Sequence, residues 1–283
     1  MPGGPDDQPD GDIAQGPTPR GRAIRRVFGA AGRIAAAYTH FELDPLPALP
    51  QPPYLVVINH GFGTFLDLNA LIAAHVGGRL GLGPDVAVVI LAHQLAWQLR
   101  VGPFLEPAGF RPAGHDVALH ALGQRLPVLV LPGGDLDAAK SWRHRNEVHF
   151  HGRSGFARLA QEAGVPILPM VITGAGDTLV NLSTGRGLAR VVGLERLTRQ
   201  KALPVSFALP WGLNVGLALY AYLPWPAKMR GRILEPVLIG DDEDPAVAAA
   251  SVESAIHDAA RQLTAGRNAQ LDWLRPKPRR RSD

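Results

Sequence analysis

Apolar and polar positions along the chain alternate with two different periods. Over residues 20–41, helical spacing gathers Ile24, Val27, Phe28, Ala31, Ile34, Ala35 and Tyr38 on one side, with Arg22, Arg25, Arg26 and Arg33 opposite. That pattern predicts a basic amphipathic helix. Short apolar runs rich in β-branched residues follow at 54–58, 86–91, 126–131 and 165–172, each bounded by Pro or Gly, and these predict buried strands. Between them the spacing predicts a helix over 65–76 stopped by Gly77-Gly78, a short helix capped by Asp116 and ended by Gly123, and another over 155–164; residues 104–112 read as irregular. Strands alternating with helices predict an α/β fold: a mostly parallel central sheet with helices on both faces, in a single domain.

Toward the C-terminus, residues 228–239 contain a last strand. Asp244-Pro245 opens a final helix whose buried face is expected to carry Val247, Ala250, Ile256, Ala259 and Leu263. The expected organisation is a disordered tail over 1–19, with five Pro, four Gly and four Asp, then the basic helix over 20–43 and the domain over 50–240. A helical segment over 244–274 and a basic tail over 275–283 complete it. The first residues lack a basic start followed by an apolar core, so no secretory signal is read there.

Composition sharpens this picture. The 283 residues are 46% hydrophobic, enough for one sizeable core. Cysteine is absent, which excludes disulfides, thiolate catalysis and Cys-ligated metal, and the ten histidines show no metal-site spacing, so no metal is expected. A net charge of +4 and a pI near 9.7 come from arginine far more than lysine. A basic surface suits anionic lipid, phosphorylated substrates or nucleic acid. Too few aromatics interleave with the basic residues to support the last, so no nucleic-acid partner is expected.

The candidate chemistry starts at the end of the first strand, where Asn59-His60-Gly61 opens a turn. An imidazole at a strand's carboxyl end can take a proton from a hydroxyl, with a carboxylate fixing its tautomer. Asp67 is the candidate orienter. The same residues have a second reading: Thr64 caps a helix that starts near Phe65, and Asp67 favours that helix's positive end. The third strand runs into Pro132-Gly133-Gly134-Asp135-Leu136-Asp137, whose glycines allow close backbone approach to a ligand or form a plain turn. No nucleotide-binding Gly-x-x-x-x-Gly-Lys-[Ser/Thr] loop is present there. Lys140, Arg143, Arg145 and Arg153 follow, a cluster suited to phosphate or to solvent.

Taken in order, Asn59-His60 with Asp67, Phe110-Arg111, Pro132-Gly133-Gly134-Asp135, Arg153-x-Gly155-Phe156-x-x-Leu159-Ala160 and Val165-Pro-Ile-Leu-Pro169 resemble the motifs of the lysophospholipid acyltransferase superfamily. The resemblance covers roughly residues 50–240, and agreement among ordered motifs outweighs any one of them. It implies a glycerol-phosphate acyltransferase-like fold, with His60 as general base and Asp67 orienting it. It further implies substrate contacts from Asn59, Gly61, Phe110, Arg111, Gly133, Gly134, Asp135, Asp137, Arg143, Arg145 and Arg153. Acyl-CoA or acyl-ACP would be the co-substrate, with no cofactor, and a lysophospholipid, monoacylglycerol or diacylglycerol the acceptor. Two departures stand out: six residues separate His60 from Asp67 where the family commonly has four, and Pro132-Gly133-Gly134-Asp135-Leu136 replaces Pro-Glu-Gly-Thr-Arg. The form Gly133-Gly134-x-x-Asp137 is more similar to the monoacylglycerol and diacylglycerol acyltransferase branch.

No charge occurs from 202 to 227, a stretch holding Trp211, Tyr220, Tyr222 and Trp225. Its four prolines oppose one straight helix, so it reads as an apolar hairpin or loop that lines an acyl tunnel or dips into a bilayer interface. The arginine helix reads either as packing on its own domain with a solvated face or as lying on an anionic membrane, and in the second case it points, with this stretch and the basic tail, to a peripheral or monotopic protein; the resemblance implies the cytoplasmic face and phospholipid biosynthesis. A second class of function is a lipid-binding peripheral protein without turnover.

Overall fold

The structure, a computed structural model, describes residues 16–62, 67–194, 201–216 and 222–274. The expectations for the tails at 1–15 and 275–283, and for Thr64, Phe65 and Tyr220, lie outside the described residues.

Helix α1 (Pro19–Tyr38) starts where Thr18 accepts the Gly21 amide at 3.1 Å and Pro19 presets the first turn. Its inward face differs from the predicted one. Gly21, Gly32 and Ala36 are the buried residues, while Val27 and Ile34 are 68% and 71% exposed. The reason is backbone proximity: a Cβ on Gly32 would lie 2.2 Å from the Leu71 carbonyl oxygen, and one on Gly21 1.7 Å from that of Pro107. Only glycine permits that approach. Arg25 also turns inward and donates to the carbonyls of Val86 and Leu82, and this burial holds its pKa below the ordinary arginine value.

The short strand β1 (Glu42–Leu43) follows, then β2 (Leu55–Ile58), buried along its whole length. Helix α2 (Leu68–Gly77) begins three residues later than the apolar spacing predicts, because Asp67 itself is the N-cap and accepts the Asn69 amide at 2.8 Å. Next come β3 (Val89–Ala92), α3 (Leu95–Gln98), α4 (Gly102–Leu105) and β4 (Phe110–Pro112). The strand β4 corrects the irregular reading of 104–112. It pairs parallel with β3, Ile90 opposite Phe110, after Gly109 adopts φ 96° against the Val88 carbonyl, and three residues are too few to show a period.

Helix α5 (His115–Gly123) is capped by Gly114, and Asp116 lies in its first turn rather than at its cap. Then follow β5 (Val128–Val130), α6 (Gly134–Ala138), α7 (Gly155–Glu162) and β6 (Ile167–Thr173). After β7 (Val180–Ser183), α8 (Arg186–Val191), β8 (Val205–Ala208) and β9 (Gly212–Val215), the chain returns to the main sheet with β10 (Arg230–Ile233). It ends in α9 (Pro245–Thr264), capped by Asp244, and α10 (Ala269–Leu274).

Seven strands form the central sheet in the order β1-β10-β6-β2-β5-β3-β4, with only the β10–β6 pair antiparallel. One face buries Val56, Ile58, Leu168 and Ile172 against Ile72 and Val76 of α2; the other buries Leu55, Val57, Val89 and Val128 against α5, α7 and α9. Covering both faces explains why the strands read as continuous apolar runs. Truncating the fully buried Ile72 to Ala would cost roughly 2–5 kcal/mol. On α9 the buried face is Ala248, Ala249, Val252, Ile256, Ala259, Ala260 and Leu263, so Val247 and Ala250 are corrected to the solvent side. Alanines at 248, 249, 259 and 260 let α9 lie close on β6 and α7, which sets its rotation. The strands β7-β8-β9 form a separate three-stranded antiparallel sheet, into which the described part of 202–227 largely folds. Among the described residues no helix is long and apolar enough to cross a membrane.

Candidate active site

The carboxyl ends of β2, β5 and β6 meet at one edge of the sheet, where parallel α/β folds place their sites. Asn59 closes this end: its side chain both accepts from the Ile172 amide and donates to the Ile172 carbonyl, each at 2.9 Å. Asn69 adds bonds to the carbonyls of Asn59 at 3.2 Å and Ile172 at 3.0 Å. His60 therefore leaves a rigid strand end.

The His60 Nδ1 lies 2.8 Å from Asp67 Oδ2, so the pair closes across six intervening residues. Asp67 is buried at 6% exposure and also accepts the Gly61 amide at 3.0 Å and the Asn69 amide at 2.8 Å. Asp67 thus faces the imidazole, and it also caps α2 itself, where the sequence reading places it in the first turn of a helix capped by Thr64. Gly61 is required here, because a Cβ would come 2.6 Å from Asp67 Oδ1 and 2.9 Å from the Ala175 methyl. Its amide, committed to Asp67, is not available to an external oxyanion. With Nδ1 donating to Asp67, His60 Nε2 carries the lone pair that can accept a proton.

A second buried carboxylate holds the backbone of His60. Asp137, 2% exposed, accepts the His60 amide at 2.9 Å through Oδ2 and the Lys140 ammonium at 2.8 Å through Oδ1. Gly133 approaches Asp137 so closely that a Cβ there would lie 2.4 Å from the Asp137 Cβ. Asp137 thus brings the Gly133-Gly134 turn and the His60 turn together. Gly134 has φ 57°, and Arg153 packs on it, donating to the Pro132 carbonyl at 2.8 Å and facing Asp135 at 3.7 Å. Asp135 in turn accepts the amides of Lys201 and Ala202, tying this turn to the start of β8.

The remaining expected residues scatter. Arg145 joins His60 in lining a small polar crevice; its guanidinium bonds Asp177 at 2.6 Å and covers the Trp142 ring at 3.9 Å. Arg143 is exposed on the turn Trp142–His144. Arg111 donates to the carbonyls of Glu106 and Phe110, each at 2.8 Å, and burial lowers its pKa. Phe110 packs at a tilt against Phe28, with centroids 5.7 Å apart, in the wall of a separate cavity.

That cavity is mainly apolar. It measures about 500 Å³ and lies between α1, α2 and the sheet, reaching Asp67 at one end. Its walls include Phe28, Ile58, Ala73, Val88, Leu129 and Leu131, and Arg25, Arg26 and Arg33 of α1 also border it. Among the described residues of 202–227, none lines this cavity. The strands β8 and β9 of that stretch belong to the small sheet, which Asp135 ties to the Gly133-Gly134 turn through the Ala202 amide. Sequence reasoning missed Asn69, and it took Lys140 only as part of a basic cluster. The spacing Asp137-x-x-Lys140, one helical turn, was the available signal for the latter.

Known proteins share part of this sequence and its fold. Residues 40–173 match the family model described as Acyltransferase. Three curated sequences described only as uncharacterized proteins, one from Mycobacterium bovis and two from Mycobacterium tuberculosis, are each 29% identical over 136 residues. The match covers 46% of this chain and 35% of theirs, so the chain spans about a third of their length. Among solved structures, the 1-acyl-sn-glycerophosphate (LPA) acyltransferase PlsC of Thermotoga maritima shares the fold, with a TM-score of 0.52 and 17% identity, over 87% of this chain and 82% of that one.

Proposed function

We propose that the chain is a member of the phospholipid and glycerol acyltransferase superfamily, as the Acyltransferase match over residues 40–173 supports, and that it transfers a fatty acyl group from acyl-CoA or acyl-ACP to a glycerolipid hydroxyl. The observation that carries this reading is the buried Asp67 carboxylate. It holds His60 Nδ1 at 2.8 Å while itself forming one end of an apolar cavity. A volume of about 500 Å³ is in the range of small-molecule sites, roughly 300–1,000 Å³.

In the proposed step, the acyl chain occupies the apolar cavity, with its thioester carbonyl beside His60. The acceptor hydroxyl gives its proton to His60 Nε2 as its oxygen forms a bond to the carbonyl carbon. Asp67 stabilises the resulting imidazolium. The tetrahedral oxyanion is assigned to the Gly133 amide, since the Gly61 amide is committed to Asp67 and the Gly134 amide to the Leu131 carbonyl. Collapse breaks the C–S bond, and the departing thiolate takes the proton from His60. Asn59, Asp137 and Lys140 act on the chemistry through the position of the His60 turn. The acceptor is a lysophospholipid, monoacylglycerol or diacylglycerol, met at the cytoplasmic face of a membrane to which the protein is peripheral, in phospholipid biosynthesis.

The test is to offer the purified protein labelled acyl-CoA, then acyl-ACP, with a panel of lysophospholipids, monoacylglycerol and diacylglycerol, and to identify any acylated product. His60→Ala should lower turnover at least about 100-fold with the fold intact. One feature favours a second reading, lipid binding without turnover: Leu136 stands where the family motif carries its Arg. Wild-type protein that retains lipid but forms no product with any donor and acceptor would establish that reading.

A further inference from the structure

The small sheet β7-β8-β9 is inverted. Cross-strand register pairs Phe207 with Leu213 and Val205 with Val215, and Asn181 with Ser206. Alternation along a strand puts the apolar pairs on one face and the polar pair on the other. In a sheet that covers a core the apolar face points inward. Here Asn181 and Ser206 are buried, and Asn181 donates to the carbonyls of Ala139 at 2.6 Å and Lys140 at 3.0 Å, beside the Asp137 loop. The outer face is the apolar one. Leu213 is 64% exposed and Val215 57%, and Trp211 and Leu223, both 59%, continue the patch. Helix α8, joined to this sheet where the Leu203 amide donates to the Thr184 carbonyl, also carries an exposed Val191.

We propose that this outer face is the surface by which the protein docks on an anionic bilayer. Charge selects the occupant. Among the described residues flanking the sheet, Arg186, Arg190 and Lys201 are exposed cations with no acid between 184 and 194, and no charge at all follows in the sequence from 202 to 227. An apolar patch bordered by cations matches a bilayer, whose acyl region takes the first and whose headgroups take the second. A second copy of the chain on the same patch would bring these like charges together across a two-fold axis. Trp211 and Trp225 belong to the residue type favoured at headgroup level. Through Asn181 and Asp135 the sheet is fastened to the Asp137 loop and the Gly133-Gly134 turn, so docking brings the mouth of the site to the lipid. The argument depends on the acyltransferase reading only for the need to fetch a lipid acceptor.

The experiment is co-sedimentation of the full chain with phosphatidylcholine vesicles that contain, or lack, roughly a third phosphatidylglycerol. The double variant Leu213→Thr with Val215→Thr keeps strand-forming residues and removes the outward aliphatic surface. It should lose about tenfold or more of the partitioning shown by wild type. Leu213→Thr alone, with a smaller loss expected, replaces it if the double variant lacks the wild-type circular dichroism. Val27→Ser with Ile34→Ser, on the outer side of α1, should partition as wild type does. Equal binding by wild type and the strand variants overturns the proposal, and so does loss of binding in the α1 variant alone. Concentration-dependent dimerisation of wild type, abolished in the strand variants, would show a second copy as the occupant and overturn it as well. Vesicle binding needs no acyl donor, so a protein that docks by this face but transfers nothing would sink the enzymatic reading and leave the docking surface standing.

Discussion

Replacing Asp67 by Asn separates its two jobs. The carboxylate faces three donors: His60 Nδ1 at 2.8 Å, the Gly61 amide at 3.0 Å and the Asn69 amide at 2.8 Å. An asparagine has one oxygen and one NH₂ group in the same places. If its oxygen faces the imidazole, the NH₂ is driven against two backbone N–H groups in a site 6% exposed, and each lost bond costs roughly 1–3 kcal/mol. The opposite orientation keeps the oxygen on Gly61 and Asn69 and preserves the cap, since Asn is as good an N-cap as Asp. Its NH₂ then donates to His60 Nδ1, so the imidazole proton moves to Nε2, the atom that must accept the acceptor's proton.

The second orientation wins on energy, so the variant folds and fails at chemistry. A comparable wrong-tautomer substitution in a serine-protease triad costs on the order of 10⁴ in turnover. With the general base lost in the same way, turnover here should fall roughly 10³–10⁴-fold, which is about 4–5.5 kcal/mol of transition-state stabilisation. Unfolding free energy should move by less than about 1 kcal/mol, because the helix cap survives. Thiol release from acyl-CoA measures the first quantity and denaturant unfolding the second. Asp67→Asn that is folded and turns over within about threefold of wild type would refute the tautomer argument. In that case Asp67 would be a helix cap only.

Three further outcomes follow from the same contacts. Asp137→Asn should destabilise by roughly 3–5 kcal/mol, because Lys140, 12% exposed, loses its countercharge; Asp137→Asn with Lys140→Met should recover much of this in urea melts, and purely additive losses would show that the pair is not coupled. Ala73→Leu extends a side chain into the cavity between α1, α2 and the sheet, so turnover with long-chain acyl donors should fall relative to short-chain ones, and an unchanged ratio would place the acyl chain elsewhere. His75 lines the same cavity, and burial, then Arg33 and Arg79, hold its pKa below that of ordinary histidine. The folded protein therefore takes up this proton later than the unfolded chain as pH falls, and stability is lost from about pH 6.5 downward. His75→Gln should flatten that loss; equal changes in Tm for wild type and variant between about pH 7.5 and 5.5 would remove His75 as its source.

Sequence alone determined what local chemistry can specify. Runs such as 54–58 and 165–172 are apolar without alternation, so they had to be strands buried on both faces, and strands of that kind alternating with helices imply a parallel sheet. The order of motifs from Asn59-His60 to Val165-Pro-Ile-Leu-Pro169 carried the resemblance to acyltransferases, and Asp244-Pro245 marked the start of α9. What the sequence left open was decided between segments far apart in the chain. Whether Asp67 capped a helix or faced His60 depended on the path between them, and the folded site has it do both. The rotation of α1 was misread because hydrophobicity favoured Val27 and Ile34, whereas contact with the Leu71 and Pro107 carbonyls demands Gly32 and Gly21. Asp137 and Lys140 looked like ligand-binding charges, yet they bury each other beneath the His60 turn 77 residues away in sequence. The stretch 202–227 showed no charge but not which side it faced; only pairing with β7, whose Asn181 is held inward by the carbonyls of Ala139 and Lys140, turns its apolar face outward. Periodicity reports how one segment divides into two faces, and it is the packing partner that decides which face is the inside.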